Sequence, residues 1–98
     1  MTEMNDTTKQ LVMDIAMNLN RIGNWIADGY QKNFKKINIF LKNNDEYISR
    51  VNVTNKAFQP TWDFFLEKYV GMKSDLSDSA EDFMTFGNIL THRSKLIN

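Results

Sequence analysis

The sequence has no cysteine, one proline, one histidine and four glycines among its 98 residues. The missing cysteines exclude disulfides, thiolate metal sites and cysteine nucleophiles together. A single histidine, His92, excludes every paired-histidine metal motif and leaves one candidate base for a nucleophilic mechanism. Gly23, Gly29, Gly71 and Gly87 lie too far apart to form a phosphate-cradling loop. The longest uninterrupted apolar runs are three residues, such as Phe64-Phe65-Leu66, whereas a membrane span takes ~18–20. Net charge is also missing, because 12 basic side chains balance 12 acidic ones. That balance argues against a polybasic nucleic-acid arm, an acidic tail or long-range steering of a charged ligand. The opening Met1-Thr2-Glu3-Met4-Asn5-Asp6 is polar and unlike a targeting segment, so a cytoplasmic location is the expectation.

What is present is ordinary globular composition, 42% hydrophobic and 24% charged, in a length that fits one domain over residues 1–98. The 12 Asn accompany 9 Lys and 8 Ile but only 3 Arg, the pattern of AT-rich codons. They are therefore discounted as a recognition signal.

Periodicity predicts an all-α single-domain bundle of three to four helices. Residues 1–6 read as a frayed lead-in, and Thr7 with Gln10 reads as a capping box opening a helix over 7–28. Leu11, Ile15, Leu19, Ile22 and Ile26 then fall within about 80° of one another, with Val12 beside them. Gly29 is the natural stop. Tyr30, Phe34, Ile37, Leu41, Ile48 and Val51 keep one phase, which favours a single helix over 31–56 despite the polar slot at Asn44. A break across 43–46 is the alternative. Pro60 opens a third helix over 60–70, which carries Trp62, Phe65, Leu66 and Tyr69 and stops at Gly71. A loop over 71–78 leads to a fourth helix over 79–96, with Ser79 and Asp82 at its start and Phe83, Phe86, Leu90 and Ile97 on its stripe. Ala16, Gly23 and Ala27 lie within about 40° of one another, a ridge of small side chains along which a neighbouring helix can come close.

Chemistry-bearing constellations are scarce. His92 projects about 160–180° away from the Phe83/Leu90/Ile97 stripe, among polar neighbours, as a solvated histidine does. Asp75, Asp78, Glu81 and Asp82 form the one acidic cluster, but they lack the spacing of a calcium loop and suit the positive end of a helix dipole. No Glu-x-x-His pair supports a di-iron bundle. Catalytic residues, metal ligands and cofactors are all expected to be absent.

Two surface features remain. Residues 1–28 carry four acids and two bases, 29–58 two acids and six bases, and 59–98 six acids and four bases. The neutral total is thus −2, +4 and −2 along the chain, with Lys32, Lys35, Lys36, Lys42 and Arg50 as a candidate basic face for nucleic acid or an anionic lipid surface. A solvated face of an amphipathic helix explains the same charges. Met13, Met17, Trp25 and Phe64 lie off or at the edge of their helices' apolar stripes, the pattern of a protein interface. Exposure of single apolar residues is the competing explanation.

The strings Asn18-Leu19-Asn20-Arg21-Ile22-Gly23-Asn24-Trp25-Ile26-Ala27-Asp28-Gly29-Tyr30 and Asn88-Ile89-Leu90-Thr91-His92-Arg93 resemble small conserved cyanobacterial proteins of unknown function. The resemblance implies no activity, cofactor or site. The expectation is a non-enzymatic protein-interaction module or adaptor that self-associates or binds another protein; a nucleic-acid-binding or regulatory protein is the alternative.

Overall fold

The computed structural model describes residues 2–97, and the side chains of residues 8–97. Among the described residues there are four helices and no strand: α1 (Thr2–Gly29), α2 (Phe34–Arg50), α3 (Gln59–Ser74) and α4 (Ala80–Arg93). At ~1.5 Å per residue, the 28 residues of α1 span ~42 Å, which accounts for the 43 Å long axis of the molecule. The shorter helices are laid along it. Its stripe of Leu11, Ile15, Leu19, Ile22 and Ile26 is buried together with Val12 and Ala16.

Neighbouring helices run antiparallel. Gly23 of α1 faces Ala80 and Met84 of α4, whereas Gly87 faces Ala16 and Asn20, so the two helices count in opposite directions. Asn18 meets Asn44 and Trp25 meets Phe40 in the same opposed sense for α1 and α2. Phe64 meets Phe86 and Tyr69 meets Phe83 for α3 and α4. The result is an up-down-up-down bundle. Its core fills with rings from α3 and the residue before it: Phe58, Trp62, Phe65 and Tyr69 follow one another at centroid spacings of 6.2, 5.3 and 5.2 Å.

The α1–α4 seam is the tightest contact. A Cβ placed on Gly23 would lie 2.5 Å from Met84 Cγ and 2.8 Å from the Ala80 carbonyl oxygen. One on Gly87 would lie 2.6 Å from Asn20 Nδ2 and 2.9 Å from the Ala16 carbonyl oxygen. The small-residue ridge holds at Ala16 and Gly23, while Ala27 is exposed beyond the end of the seam.

Several boundaries differ from the periodicity reading, each for a local reason. Helix α1 begins at Thr2, so residues 2–6 are not a lead-in and Thr7 is not a cap; the Thr7 side chain lies outside the described residues. Gln10 instead donates from Nε2 to Asp14 Oδ1 at 2.9 Å, one turn on. Gly29 ends α1 with a φ of 156°. Asn33 then seals the turn, its Nδ2 donating at 2.9 Å to the Trp25 carbonyl near the end of α1. That turn delays α2 to Phe34. The helix runs unbroken across 43–46 but ends at Arg50 rather than 56, where Val51-Asn52-Val53-Thr54 offers only weak helix formers. Asn55 restarts the chain: its Oδ1 accepts from the Ala57 and Phe58 amides at 2.8 and 3.3 Å, and its carbonyl accepts from Gln59 N at 3.1 Å.

Helix α3 passes through Gly71 to Ser74, because Met72 continues the buried Phe65/Tyr69 stripe one turn further and its burial outweighs the helix-propensity cost of the glycine. The loop expected over 71–78 shrinks to Asp75 and a single 3-10 turn at Leu76–Asp78. Ser79 precedes α4 as expected, but its hydroxyl donates to the Asp75 carbonyl at 2.7 Å and does not cap the helix.

The three helical glycines therefore carry opposite expectations. Gly23→Ala and Gly87→Ala are expected to lower unfolding free energy by ~1–3 kcal/mol through overpacking of the seam. A Cβ on Gly71 meets nothing within 4 Å, so Gly71→Ala is expected to raise stability by up to ~1 kcal/mol. Urea denaturation followed by far-UV circular dichroism reads both signs.

Candidate interaction surfaces

The four apolar candidates occupy three separate places. Met13 and Met17 are exposed one turn apart on the outer face of α1, on the far side from the stripe that meets the core. Trp25 is half-buried in the α1–α2 seam, edge-on to Phe40 at 4.9 Å, with the Lys36 ammonium 5.5 Å from its ring centroid. Phe64 is 48% exposed on α3, resting on Phe86 of α4 with ring centroids 5.5 Å apart. No single patch gathers all four.

The cations divide similarly. Lys32 falls in the turn before α2 and pairs with Asp28 at 3.1 Å. Hydrogen bonds from Lys32 and then Asn33 hold the Asp28 carboxyl below its ordinary range, although both partners of the ion pair are exposed and the pairing is screened. Lys36 leans over Trp25, and Arg50 reaches Glu46 at 3.9 Å. Lys35 and Lys42 stand exposed on the outer face of α2, one on each side of the exposed Ile39.

A polar tie the sequence reading missed joins α2 to α3. The Tyr69 hydroxyl donates to Asp45 Oδ1 at 2.8 Å, and Lys73 Nζ lies 3.2 Å from both Asp45 oxygens. The same ammonium sits 4.7 Å from the Tyr69 ring centroid. Burial, reinforced by the Asp45 charge, pushes the Tyr69 hydroxyl well above its ordinary pKa. Charge alternation along the sequence carries no sign of this triad, because its members lie 24 and 28 positions from Asp45.

Between α3 and α4 the surface opens into two adjoining hollows. The first, about 660 Å³, lies among Pro60, Thr61, Phe64, Ile89, His92 and Arg93. The second, about 540 Å³, shares Phe64 and Ile89 and extends along Lys68 and Gly71 to Asp75, Asp78 and Asp82. They form one trough with a saddle at Phe64 and Ile89, basic at one end and acidic at the other. His92 is exposed in the first hollow beside Asn88 and Arg93, and among the described residues no carboxylate lines that hollow. Of the trough, the sequence reading singled out Phe64 as an interface candidate, His92 as an improbable base and the aspartates as helix-dipole partners. The signal that links its two ends is the spacing Asp82, Phe86, Ile89, Arg93, which lies along one side of α4.

Among the described residues no group of three His, Asp or Glu side chains is arranged to hold a metal ion, and no helix is long and apolar enough to cross a membrane. Comparison with protein-family models, curated proteins and solved structures finds no match.

The raised Tyr69 pKa has a definite consequence. A hydroxyl that ionises less readily folded than unfolded contributes stability present below about pH 10 and lost as pH rises beyond it. Tyr69→Phe is expected to flatten the fall in unfolding free energy between about pH 9 and 11, measured by urea titration at each pH.

Proposed function

We propose that the chain is a small non-enzymatic protein-interaction module, acting in the cytoplasm without a bound cofactor, and that its binding surface is the α3–α4 trough. The observation that carries this reading is Phe64. A large ring is held half-exposed on a rigid platform, Phe86, at the centre of a saddle with charged ends, with the Lys68 ammonium 5.7 Å from the Phe64 centroid. Binding energy comes from burying such a central aromatic anchor, while charges at the rim set orientation and association rate. Met13 and Met17 offer a second apolar surface on α1, outside the trough.

The nucleic-acid alternative draws less support, because Lys32 and Arg50 are engaged with Asp28 and Glu46 and Lys36 with Trp25. Only Lys35 and Lys42 of the five are left for phosphates. The resemblance to small cyanobacterial proteins adds no ligand to either reading; its two strings fall on α1 and α4, the helices in closest contact.

The test is capture of partners by immobilised chain, with identical folds verified by circular dichroism. Phe64→Glu is expected to reduce capture at least ~10-fold, whereas Met13→Asp with Met17→Asp leaves it intact. Capture that survives Phe64→Glu removes the trough as the binding surface. A mobility shift of RNA or DNA at low salt that disappears in Lys35→Glu/Lys42→Glu would favour the alternative.

A further inference from the structure

We infer that the occupant of the α3–α4 trough is the same trough of a second copy, packed face to face and antiparallel about a two-fold axis that crosses α4 midway between Phe86 and Ile89. This rests on the interaction reading above and specifies its partner. On α4, Asp82, Phe86, Ile89 and Arg93 follow one another at steps of four, three and four. That spacing is the same read from either end, and the terminal charges are opposite. Two such stripes laid antiparallel put Asp82 of each copy against Arg93 of the other, with the apolar positions between them. At ~1.5 Å per residue the two charges stand ~16 Å apart along the helix, so both pairs form in one docking event.

The surrounding residues agree with this pairing. Asp75 and Asp78 add to the Asp82 end, and His92 adds a hydrogen-bonding ring to the Arg93 end. Among the described residues none of Asp75, Asp78, Asp82 and Arg93 takes part in an ion pair. Gly71 sits at the acidic end with open space above it, an interior helical glycine that no contact or backbone conformation within one copy requires. Its missing side chain lowers the floor of the trough where the Arg93 end of a second copy would come. A partner for this surface must carry an apolar saddle with charges in the reverse order, which is what the trough presents when rotated by half a turn. Such an isologous contact closes at two copies, and a chain of zero net charge brings no overall repulsion to it.

Sedimentation equilibrium of the full chain from about 1 to about 500 μM tests this. The expected result is a monomer–dimer equilibrium that Arg93→Asp and Asp82→Arg each weaken at least ~10-fold, since each variant alone sets like charges together at both ends. An equimolar mixture of the two variants is expected to dimerise where neither does alone, because both facing pairs between positions 82 and 93 are then opposite in charge. A chain that stays monomeric throughout overturns self-docking, and the interaction reading then stands or falls on the Phe64→Glu capture experiment. A dimer that ignores Arg93→Asp but is lost in Met13→Asp with Met17→Asp overturns the trough as the surface while leaving an interaction protein. A mixture that fails to recover overturns the antiparallel geometry.

Discussion

The close approach of α1 and α4 at Gly23 and Gly87 is the contact around which the other helices are arranged. Each glycine faces backbone carbonyl or side-chain atoms of the opposite helix at distances a Cβ could not occupy. Because the two backbones come this near, Ile15, Leu19 and Ile22 on one side and Phe83 and Leu90 on the other are completely buried. The large rings of α3 then have a continuous apolar floor to cover. Dispersion and burial both depend on this proximity, since a small radial gap forfeits much of the attraction between packed atoms. The seam also fixes the height of Phe86 and Ile89, and with them the trough under Phe64.

Asparagine supplies much of what joins the helices. Asn33 seals the α1–α2 turn, Asn55 starts the turn that leads into α3, and Asn20 fills the space opposite Gly87. Asn44 is fully buried in the middle of α2, accepting a long 3.4 Å hydrogen bond from Asn18. Its own amide nitrogen has no partner among the described residues. An amide buried with half its capacity unused costs stability and disfavours any register that would bring apolar side chains against it. A residue type set aside as codon bias thus does structural work at specific points, because a short side chain with both donor and acceptor meets backbone groups at chain reversals.

Charge has a comparable hidden order. A neutral total and three segment sums of −2, +4 and −2 describe the chain but not the surface. Folding commits much of the basic middle segment to Asp28, Glu46 and Trp25, and leaves charges without an ion pair among the described residues at opposite ends of the α3–α4 trough. The trough is therefore assembled from residues 60–93, whose own sum of −3 gives no sign of a basic end.

The all-α class, the four helices, the α1 stripe, the unbroken passage through residues 43–46 and the role of Gly23 follow from the sequence alone, because each rests on a repeat of three or four residues within one helix. Exposure of Met13, Met17 and Phe64 was legible for the same reason. The helix ends at Arg50 and Ser74 were not, since the apolar phase runs on through Val51 past the point where weak helix formers stop α2, and Met72 is decided by what it buries against other helices. Nor was Gly87 distinguishable from a tolerated glycine, or Asp45 from a solvated acid, until Asn20 and Tyr69 stood beside them. Local periodicity determined which face of each helix turns inward. Only the tertiary structure decided which outward residues become neighbours, because that depends on helix crossings set by a few close contacts far apart in the chain.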